Sequence, residues 1–250
     1  MGRCFTVTSA PPLTLAGWLR HDVIRRFLQP LDVEAVLEIG AGEGALAVRL
    51  ARAYDYVGIE PDPVALDKAK SRLAHLGRGQ MLSSLEELGD ARRFDVVCAF
   101  EVLEHIADEQ AALSSWQQRL RPAGRLLLSV PAGESRYGAA DRLVGHYRRY
   151  EPQRMQQVLS DGGFRVERIE YTGMPLGYVL EALRHLLAGR MRDTGASPEA
   201  RSGASGRWLQ PPEGLGWATR FLTAPFRKLE RVLPPSLGGT SLIVLARVAN

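Results

Sequence analysis

The stretch Ala35–Ala47, AVLEIGAGEGALA, changes within thirteen residues from an apolar run to a glycine-rich turn and then to a helical pattern. The apolar run at 35–39 is typical of a strand buried on both faces of a parallel sheet. Gly40, Gly42 and Gly44 lack the Cβ atoms that would keep a ligand away from the backbone. The stretch therefore predicts a strand, a tight loop and a helix, with a nucleoside cofactor lying against the loop.

The glycine spacing alone does not identify the nucleoside, because it also satisfies the relaxed dinucleotide-binding pattern. Glu38 lies in the strand two residues before the first glycine, which gives the pattern E-x-G-x-G-x-G. That carboxylate would serve a pyrophosphate poorly, whereas S-adenosylmethionine has no phosphate and carries an ammonium and a sulfonium. The pattern therefore favours S-adenosylmethionine, with Glu38 as a direct or water-mediated counter-charge. Two alternatives stay open: Glu38 only binds backbone amides of the loop, or the protein is an NAD(P)-dependent oxidoreductase.

Length and composition predict one α/β domain over residues 1–250, since 45% of the residues are hydrophobic. The formal net charge is only +4, and no basic run with interleaved aromatic residues precedes residue 145, so nucleic-acid binding is not expected. Cys4 and Cys98 lie far apart and suggest neither a disulfide nor a metal site. Neither an apolar leader nor a spanning segment of about 20 residues is visible, so we expect a cytoplasmic protein.

Acidic and aromatic side chains follow two further predicted strands. Glu60 ends the second strand, where an acid with two acceptor oxygens can take both ribose hydroxyls. The apolar run 94–100 ends in Phe100 and is followed by Glu101. Parallel α/β sheets bind ligands at the carboxyl ends of their strands, so these side chains are predicted to lie at the cofactor.

A shorter predicted strand at 80–82 leads to Ser84 and Leu85. A side chain and a backbone amide could hold the edge of an adenine there. A plain helix N-cap by Ser83 or Ser84 is the alternative interpretation.

Four segments, in this order, resemble the motifs of class I S-adenosylmethionine-dependent methyltransferases. They are VLEIGAGEGALA at 36–47, VGIEPDP at 57–63, FDVVCAFEVLEHI at 94–106 and LRPAGRLLLSVPA at 120–132. The chain is similar to the small-molecule group that includes the ubiquinone-biosynthesis O-methyltransferases. The resemblance implies a Rossmann-like, seven-stranded, mostly parallel sheet with a reversed last strand and helices on both faces. It also implies that His105 lies close to the cofactor.

The predicted cofactor-binding residues share one sheet edge. They are Glu38, Gly40, Ala41, Gly42, Gly44, Glu60, Pro61, Ser84, Leu85, Phe100, Glu101 and His105.

The segment 133–150 is predicted to form the substrate side. Its second part resembles the D-x-x-x-G-H-x-R-R-Y segment of a bacterial methyltransferase subgroup. His146 could act as general base, because its unperturbed pKa lies near working pH. The predicted substrate contacts are Tyr137, Arg148, Arg149 and Tyr150. The two arginines suit an anionic group, and the alternative is that they form ion pairs with Asp141 and Glu151.

Helical patterns lie outside the four motifs. We expect a helix at the entrance within 10–30 and a helical insertion at 172–239, before the last strand. A Gly/Ala/Ser-rich middle at 193–206 divides the insertion into two apolar or amphipathic parts. Residues 181–234 contain nine Lys/Arg and five acids. A peripheral membrane contact through 174–233 is therefore one interpretation of the insertion, and a lid over the acceptor is the other.

These patterns predict methyl transfer from S-adenosylmethionine to a small-molecule or lipid-linked acceptor. The expected nucleophile is an oxygen or a nitrogen, ahead of a carbon. No metal is expected, because no cluster of metal ligands is visible in the sequence. The alternative from another class is a non-catalytic, membrane-associated scaffold that binds S-adenosylmethionine. The acceptor and the oligomeric state are not indicated by the sequence.

Overall fold

The computed structural model describes residues 10–188, 216–234 and 237–249 of the chain. The described residues form a seven-stranded sheet of order β3-β2-β1-β4-β5-β7-β6. The strands are β1 (Ala35–Ile39), β2 (Asp55–Ile59), β3 (Gln80–Leu82), β4 (Phe94–Phe100), β5 (Leu120–Pro131), β6 (Phe164–Thr172) and β7 (Ser241–Val248). The predicted Gly/Ala/Ser-rich middle of the insertion lies outside the described residues.

The helices flank the sheet and its edges. They are α1 (Leu15–Leu28), α2 (Ala47–Ala53), α3 (Pro63–Leu76), α4 (Glu109–Gln117), α5 (Ala139–Val144), α6 (Pro152–Asp161), α7 (Leu176–Ala188) and α8 (Gly216–Val232). The predicted entrance helix is α1, and α7 and α8 lie in the predicted insertion. A proline within a helix predicts a kink or a break, but α8 is one helix that runs through Pro225.

The predicted fold class is confirmed by the pairing of the strands. β1 pairs in parallel with β2 and β4, β2 with β3, and β4 with β5. β7 runs antiparallel to both of its neighbours, β5 and β6. The carboxyl ends of β1, β2 and β4 therefore lie at one edge, where parallel sheets bind ligands.

Alternation along the central strands divides the core into two layers. Leu37, Val97 and Leu128 pack in the layer that also contains residues of α4 and α6. Val36 and Cys98 pack in the opposite layer with α1, α2 and α3. Successive strand residues point to opposite faces, and every residue of β1 is buried, as expected of a strand covered on both sides.

The structure corrects the expected start of β5. In the motif at 120–132, the composition of Arg121–Gly124 predicts a stop between a helix and a strand beginning at Arg125. That prediction is wrong, since β5 begins at Leu120. The reason is that Leu120 pairs with Phe94, and a register irregularity between Phe94 and Val96 absorbs the extra residues. Ala123 takes a left-handed conformation there, with φ of 61°.

Two other details position the functional residues. Asp62 accepts a hydrogen bond from the Ala65 amide and Pro63 occupies the first turn, so α3 begins directly after the loop of Glu60. The segment predicted as a substrate-side loop contains α5, which ends at Gly145 in a left-handed conformation. In the described part of the chain, no helix combines the length and apolar content needed to cross a bilayer.

Candidate functional site

The glycine loop follows β1 at the carboxyl edge of the sheet. The amides of Gly40 and Ala41 both donate to the carbonyl oxygen of Ile59, at 2.9 and 3.0 Å, which ties the loop to the end of β2. Gly42 has φ of +55°, and a Cβ built there would meet no atom within 4 Å, so the space beside it is open. Gly44, with φ of +78°, is a glycine for a different reason: a Cβ built there would lie 2.9 Å from the Cβ of Ala69 in α3.

Glu60 connects this loop to the start of α3. Its Oε2 accepts from the Gly42 amide at 2.7 Å, and its Oε1 accepts from the Asp62 amide at 2.9 Å. Burial raises the pKa of the carboxyl, and the same two amides oppose that rise. A carboxylate oxygen can accept more than one hydrogen bond, so both oxygens keep capacity for a pair of ribose hydroxyls. The geometry therefore fits the predicted ribose contact.

Glu38 is buried, with 2% of its surface exposed. The hydroxyl of Tyr56 donates to its Oε2 at 2.5 Å. Burial raises the pKa of Glu38 to about 7, and the charge of Glu60 adds to the rise. The hydrogen bond from Tyr56 acts in the opposite direction and lowers the pKa. The described partner of this carboxylate is thus a phenol, not the loop amides of the alternative interpretation. A cation placed beside Glu38 would favour its ionised form.

Sequence reasoning did not name Tyr56. The sequence feature that could have indicated a role for Tyr56 is Gly58, two residues further along β2. A Cβ at Gly58 would lie 2.5 Å from the Tyr56 hydroxyl oxygen and 2.6 Å from the sulfur of Met81. The glycine inside a buried strand therefore makes room for the phenol that binds Glu38.

Glu101 follows β4 and has a left-handed backbone, with φ of 57°. Such a conformation is uncommon for a residue with a side chain and is concentrated at functional sites. Its Oε1 accepts from the Ser129 hydroxyl at 3.0 Å and pairs with Arg20 Nη1 at 2.9 Å. Burial would raise the pKa of Glu101, but Arg20 and the serine hold it below its ordinary value. Arg20, from α1, is a second residue that sequence reasoning missed.

The remaining predicted cofactor residues lie around the same edge. Ala41 is buried and Pro61 is exposed, while Phe100 is half-buried against the core. Leu85 precedes a single 3₁₀ turn at 86–88, which has no side-chain cap. The alternative N-cap by Ser83 or Ser84 is therefore not formed, and the Ser83 hydroxyl bonds the Glu87 side chain instead.

Asp141, in α5, lies at the centre of a polar cluster in the segment predicted to form the substrate side. Its carboxylate accepts from Nε and Nη2 of Arg149, both at 2.9 Å, and from the Gly138 amide at 2.9 Å. It also bonds Nδ1 of His146 at 2.9 Å. Burial would raise the pKa of Asp141, yet these partners hold it well below its usual range. The carboxylate is therefore ionised, and it fixes the His146 ring.

The two arginines and the tyrosine of the segment are engaged with acids. Arg149 is buried and donates from Nη1 to Glu181 of α7 at 2.6 Å. Arg148 Nη1 and the Tyr150 hydroxyl each lie 2.9 Å from Oε2 of Glu109. The ion-pair alternative is thus present at Asp141, and the further partners are Glu109 and Glu181, not Glu151.

Glu104, His105 and His146 converge beside Asp141. Their potential ligand atoms all lie within 4.8 Å of one another, and the two imidazole rings meet edge to face with centroids 4.6 Å apart. Glu104 is fully buried, and neither of its carboxylate oxygens has a hydrogen-bond partner among the described residues. Burial and the charge of Glu101 raise its pKa well above the ordinary value, while burial and His146 lower that of His105 to about 4. One carboxylate and two imidazoles are also a ligand set that a divalent cation could use.

Comparisons with known proteins identify the family of the chain. A family model described as a methyltransferase domain matches residues 16–169. The ubiquinone biosynthesis O-methyltransferase of Azorhizobium caulinodans is 37% identical over 124 residues, which cover 46% of this chain and 49% of that protein. The N-methyltransferase NodS of Bradyrhizobium japonicum, solved with S-adenosyl-L-homocysteine, has a TM-score of 0.55 at 16% identity over 92% of this chain and 86% of NodS. The cyclase SpnF has a TM-score of 0.58 at 17% identity, covering 91% of this chain and 80% of SpnF.

The family match and the curated methyltransferase relatives place the chain among the S-adenosylmethionine-dependent methyltransferases, and the fold agrees with that class. The family match covers more than half of the residues, and the chain belongs to the methyltransferase domain family. The structural likenesses, at these identities, establish the fold alone, and one fold can serve several reactions. The chain spans about half the length of the curated relatives it matches, so their acceptors are not carried over to it.

Proposed function

We propose that this chain transfers a methyl group from S-adenosylmethionine to an oxygen or nitrogen of a small-molecule or lipid-linked acceptor, with His146 as general base. The observation that carries the proposal is the buried contact of 2.9 Å between Asp141 and Nδ1 of His146. An ionised carboxylate at Nδ1 keeps the proton on that nitrogen, which leaves the lone pair on Nε2. A base oriented in this way is suited to take a proton from a hydroxyl or amine.

The cofactor supplies an activated methyl group, so the protein has to align the nucleophile, exclude water and accept a proton. Glu60 and the amides beside it would hold the ribose, and Gly42 leaves room for the cofactor against the backbone. Glu38 would ionise to balance the positive charge at the methionine end. Arg20, which pairs with Glu101 at the same edge, would bind the carboxylate at the methionine end of the cofactor.

In this proposal the acceptor approaches through an open groove of about 390 Å³ between the start of α5 and α7. Tyr137 and Tyr178 form aromatic walls of this groove, and Arg136 and His185 supply polar atoms. The Tyr137 hydroxyl donates to the carbonyl oxygen of His146 at 2.7 Å, which links the groove to the base. The base is then supported through ion pairs and hydrogen bonds, from Arg149 to Asp141 and from Arg148 and Tyr150 to Glu109. An anionic group of the acceptor would compete with Glu109 for Arg148.

A peripheral membrane contact through α7 and α8 is part of the proposal. Val179, Leu183 and Leu186 of α7 and Trp217, Phe221 and Leu222 of α8 are exposed, each by 48% or more. Arg220 and Lys228 on α8 are exposed as well. An apolar face with neighbouring cations is the composition that anionic lipid surfaces bind.

The methyl-transfer proposal is tested by following S-adenosylhomocysteine formation with a panel of phenolic, amine and lipid-linked acceptors. His146→Ala should lose turnover and keep cofactor affinity. His75→Ala, at an exposed position of α3, is the matched control and should behave as wild type. A chain that binds S-adenosylmethionine and forms no product with any acceptor would favour the scaffold alternative, and binding of NADH instead would favour the oxidoreductase.

A second mechanism is favoured by one observation: no described residue hydrogen-bonds the carboxylate of Glu104, which lies beside two imidazoles. In that mechanism a divalent cation at Glu104, His105 and His146 would lower the pKa of the acceptor hydroxyl. Dialysis against a chelator, followed by return of magnesium, manganese or zinc, separates the two mechanisms. Activity that survives chelation supports the histidine base, and activity restored by one metal supports the cation.

A further inference from the structure

Three arginines surround the ring of Trp18 where α1 faces α2 and α8. The Cζ atoms of Arg49, Arg220 and Arg227 lie 4.9, 5.8 and 5.5 Å from the ring centroid. Arg49 belongs to α2 and the other two to α8, while the indole Nε1 donates to Thr219 of α8 at 3.1 Å. Each arginine can stack on an indole, but three cations around one ring also repel one another.

The three guanidinium groups have few acceptors. Arg49 donates from Nη1 to the carbonyl oxygen of Ala45 at 2.6 Å, and Arg227 donates from Nη2 to that of Arg220 at 3.1 Å. Within the described parts of the chain, Nε of Arg227 is buried and has no hydrogen-bond partner. Across residues 10–188, 216–234 and 237–249, no carboxylate lies within 4.0 Å of any of the three. Buried donors are almost always paired, so Nε of Arg227 lacks an acceptor that a bound anion would supply.

Nearby groups do not neutralise the cluster. Asp22, the acid of α1 on this side, is bound at both oxygens by Arg231, at 2.6 and 2.9 Å. Burial and neighbouring arginines lower the pKa of Arg49 to about 10. Burial, followed by the charge of Arg49, lowers the pKa of His21 to about 4, and its ring meets Trp18 edge to face at 5.6 Å. The histidine is therefore neutral near pH 7, first because it is buried and second because Arg49 is close.

We propose that Arg49, Arg220 and Arg227 bind a phosphate group beside Trp18. A phosphate directs its oxygens tetrahedrally and can accept from guanidiniums that arrive from different helices, whereas a carboxylate offers two oxygens in one plane. The group belongs either to a free phosphate or soluble phosphomonoester, or to the headgroup of an anionic phospholipid. The site lies on the α8 side of α1 and does not depend on methyl transfer.

The experiment titrates the full chain with inorganic phosphate by calorimetry, against chloride at equal ionic strength. In a second arm, the protein is sedimented with vesicles of equimolar phosphatidylglycerol and phosphatidylcholine, and with phosphatidylcholine alone. Arg227→Gln and Arg220→Gln are the test variants, and Arg165→Gln, exposed on β6, is the matched control. Arg220 is itself exposed and donates no described hydrogen bond, so its replacement should leave the fold intact. Affinity for S-adenosylmethionine and the thermal midpoint report folding of each variant.

We expect phosphate or anionic vesicles to bind wild type and the Arg165→Gln control equally, and to bind Arg220→Gln and Arg227→Gln at least tenfold more weakly. Binding of inorganic phosphate in solution assigns the site to a soluble phosphate. Binding to phosphatidylglycerol vesicles alone, lost in both test variants, assigns it to a lipid headgroup. No binding in either arm, binding retained in both test variants, or an equal loss in the control would overturn the proposal.

Discussion

Replacing Glu38 with glutamine should change how the stability of the cofactor-free protein depends on pH. Burial raises the pKa of the folded-state carboxyl from 4.5 to about 7. The unfolded chain releases this proton near its ordinary pKa, so between the two values the folded state holds more protons and stability falls as pH rises. The contribution of the neutral carboxyl is therefore complete below the unfolded pKa and is lost as the pH rises through about 7.

The magnitude follows from the shift, since one pKa unit corresponds to roughly 1.4 kcal/mol. Wild type should lose on the order of 3 kcal/mol of unfolding free energy across this window through Glu38 alone. The glutamine would keep an acceptor for the Tyr56 hydroxyl and would carry no charge, so Glu38→Gln should lack this loss. Urea unfolding at closely spaced pH values measures the difference, with Glu87→Gln, fully exposed, as the control. Parallel stability curves for wild type and Glu38→Gln would refute the assignment of a raised pKa to this carboxyl.

The same carboxyl should link cofactor binding to protons. A sulfonium and an ammonium near Glu38 would favour its ionised form, so binding slightly below neutral pH should release a proton. Calorimetry in buffers of different ionisation enthalpy measures that release. It should vanish in Glu38→Gln, and an unchanged proton count in this variant would place the released proton elsewhere.

Other variants separate the proposed roles. Glu60→Ala should weaken S-adenosylmethionine binding by about 1–3 kcal/mol in a folded protein, as measured by calorimetry, because charge-assisted hydrogen bonds to the ribose are lost; an unchanged dissociation constant would count against the ribose contact. Gly42→Val should abolish binding while circular dichroism stays helical, whereas Gly77→Ala, also at positive φ beside open space, should keep binding. His146→Ala should keep cofactor affinity within about twofold and lower turnover by ~10²-fold, the scale of a positioned base. Asp141→Asn should lower turnover and alter its pH profile, and a profile identical to wild type would show that Asp141 does not act through His146.

The parallel half of the sheet was predictable because each of its segments carries a local signal. Pro63 directly after Asp62 is a local signal for the start of a helix, here α3. The apolar run ending at Phe100 predicted β4 with its bounds. The early start of β5 was not predictable in this way. Arg121–Gly124 has the composition of a stop, and only pairing of Leu120 with Phe94 on the neighbouring strand makes it part of a strand.

The candidate site was predictable as a set of elements and less so as a set of contacts. Glu60 could be placed because one strand end determines its position. For Arg149, pairing with Asp141 was one of the two interpretations. Its second partner, Glu181, could not be predicted, since it lies on a helix of the insertion and no local pattern connects the two. Glu104 likewise looks like part of a motif turn, and its burial beside His146 depends on the segment after α5, where the Tyr147 amide donates to the Glu104 carbonyl oxygen at 2.8 Å. Contacts between segments distant in sequence require the folded chain.

The position of β7 between β5 and β6 has a consequence for the newly made chain. β7 follows every other strand in sequence, yet β6 pairs with β7 and no other strand of the described sheet. During synthesis, β5 and β6 therefore emerge with unpaired edges facing a gap that only a later segment fills. Such edges can pair with a strand of another molecule. A chain stalled before β7 should be prone to aggregation and to capture by chaperones, and an added peptide with the sequence of residues 241–248 should compete for the open gap.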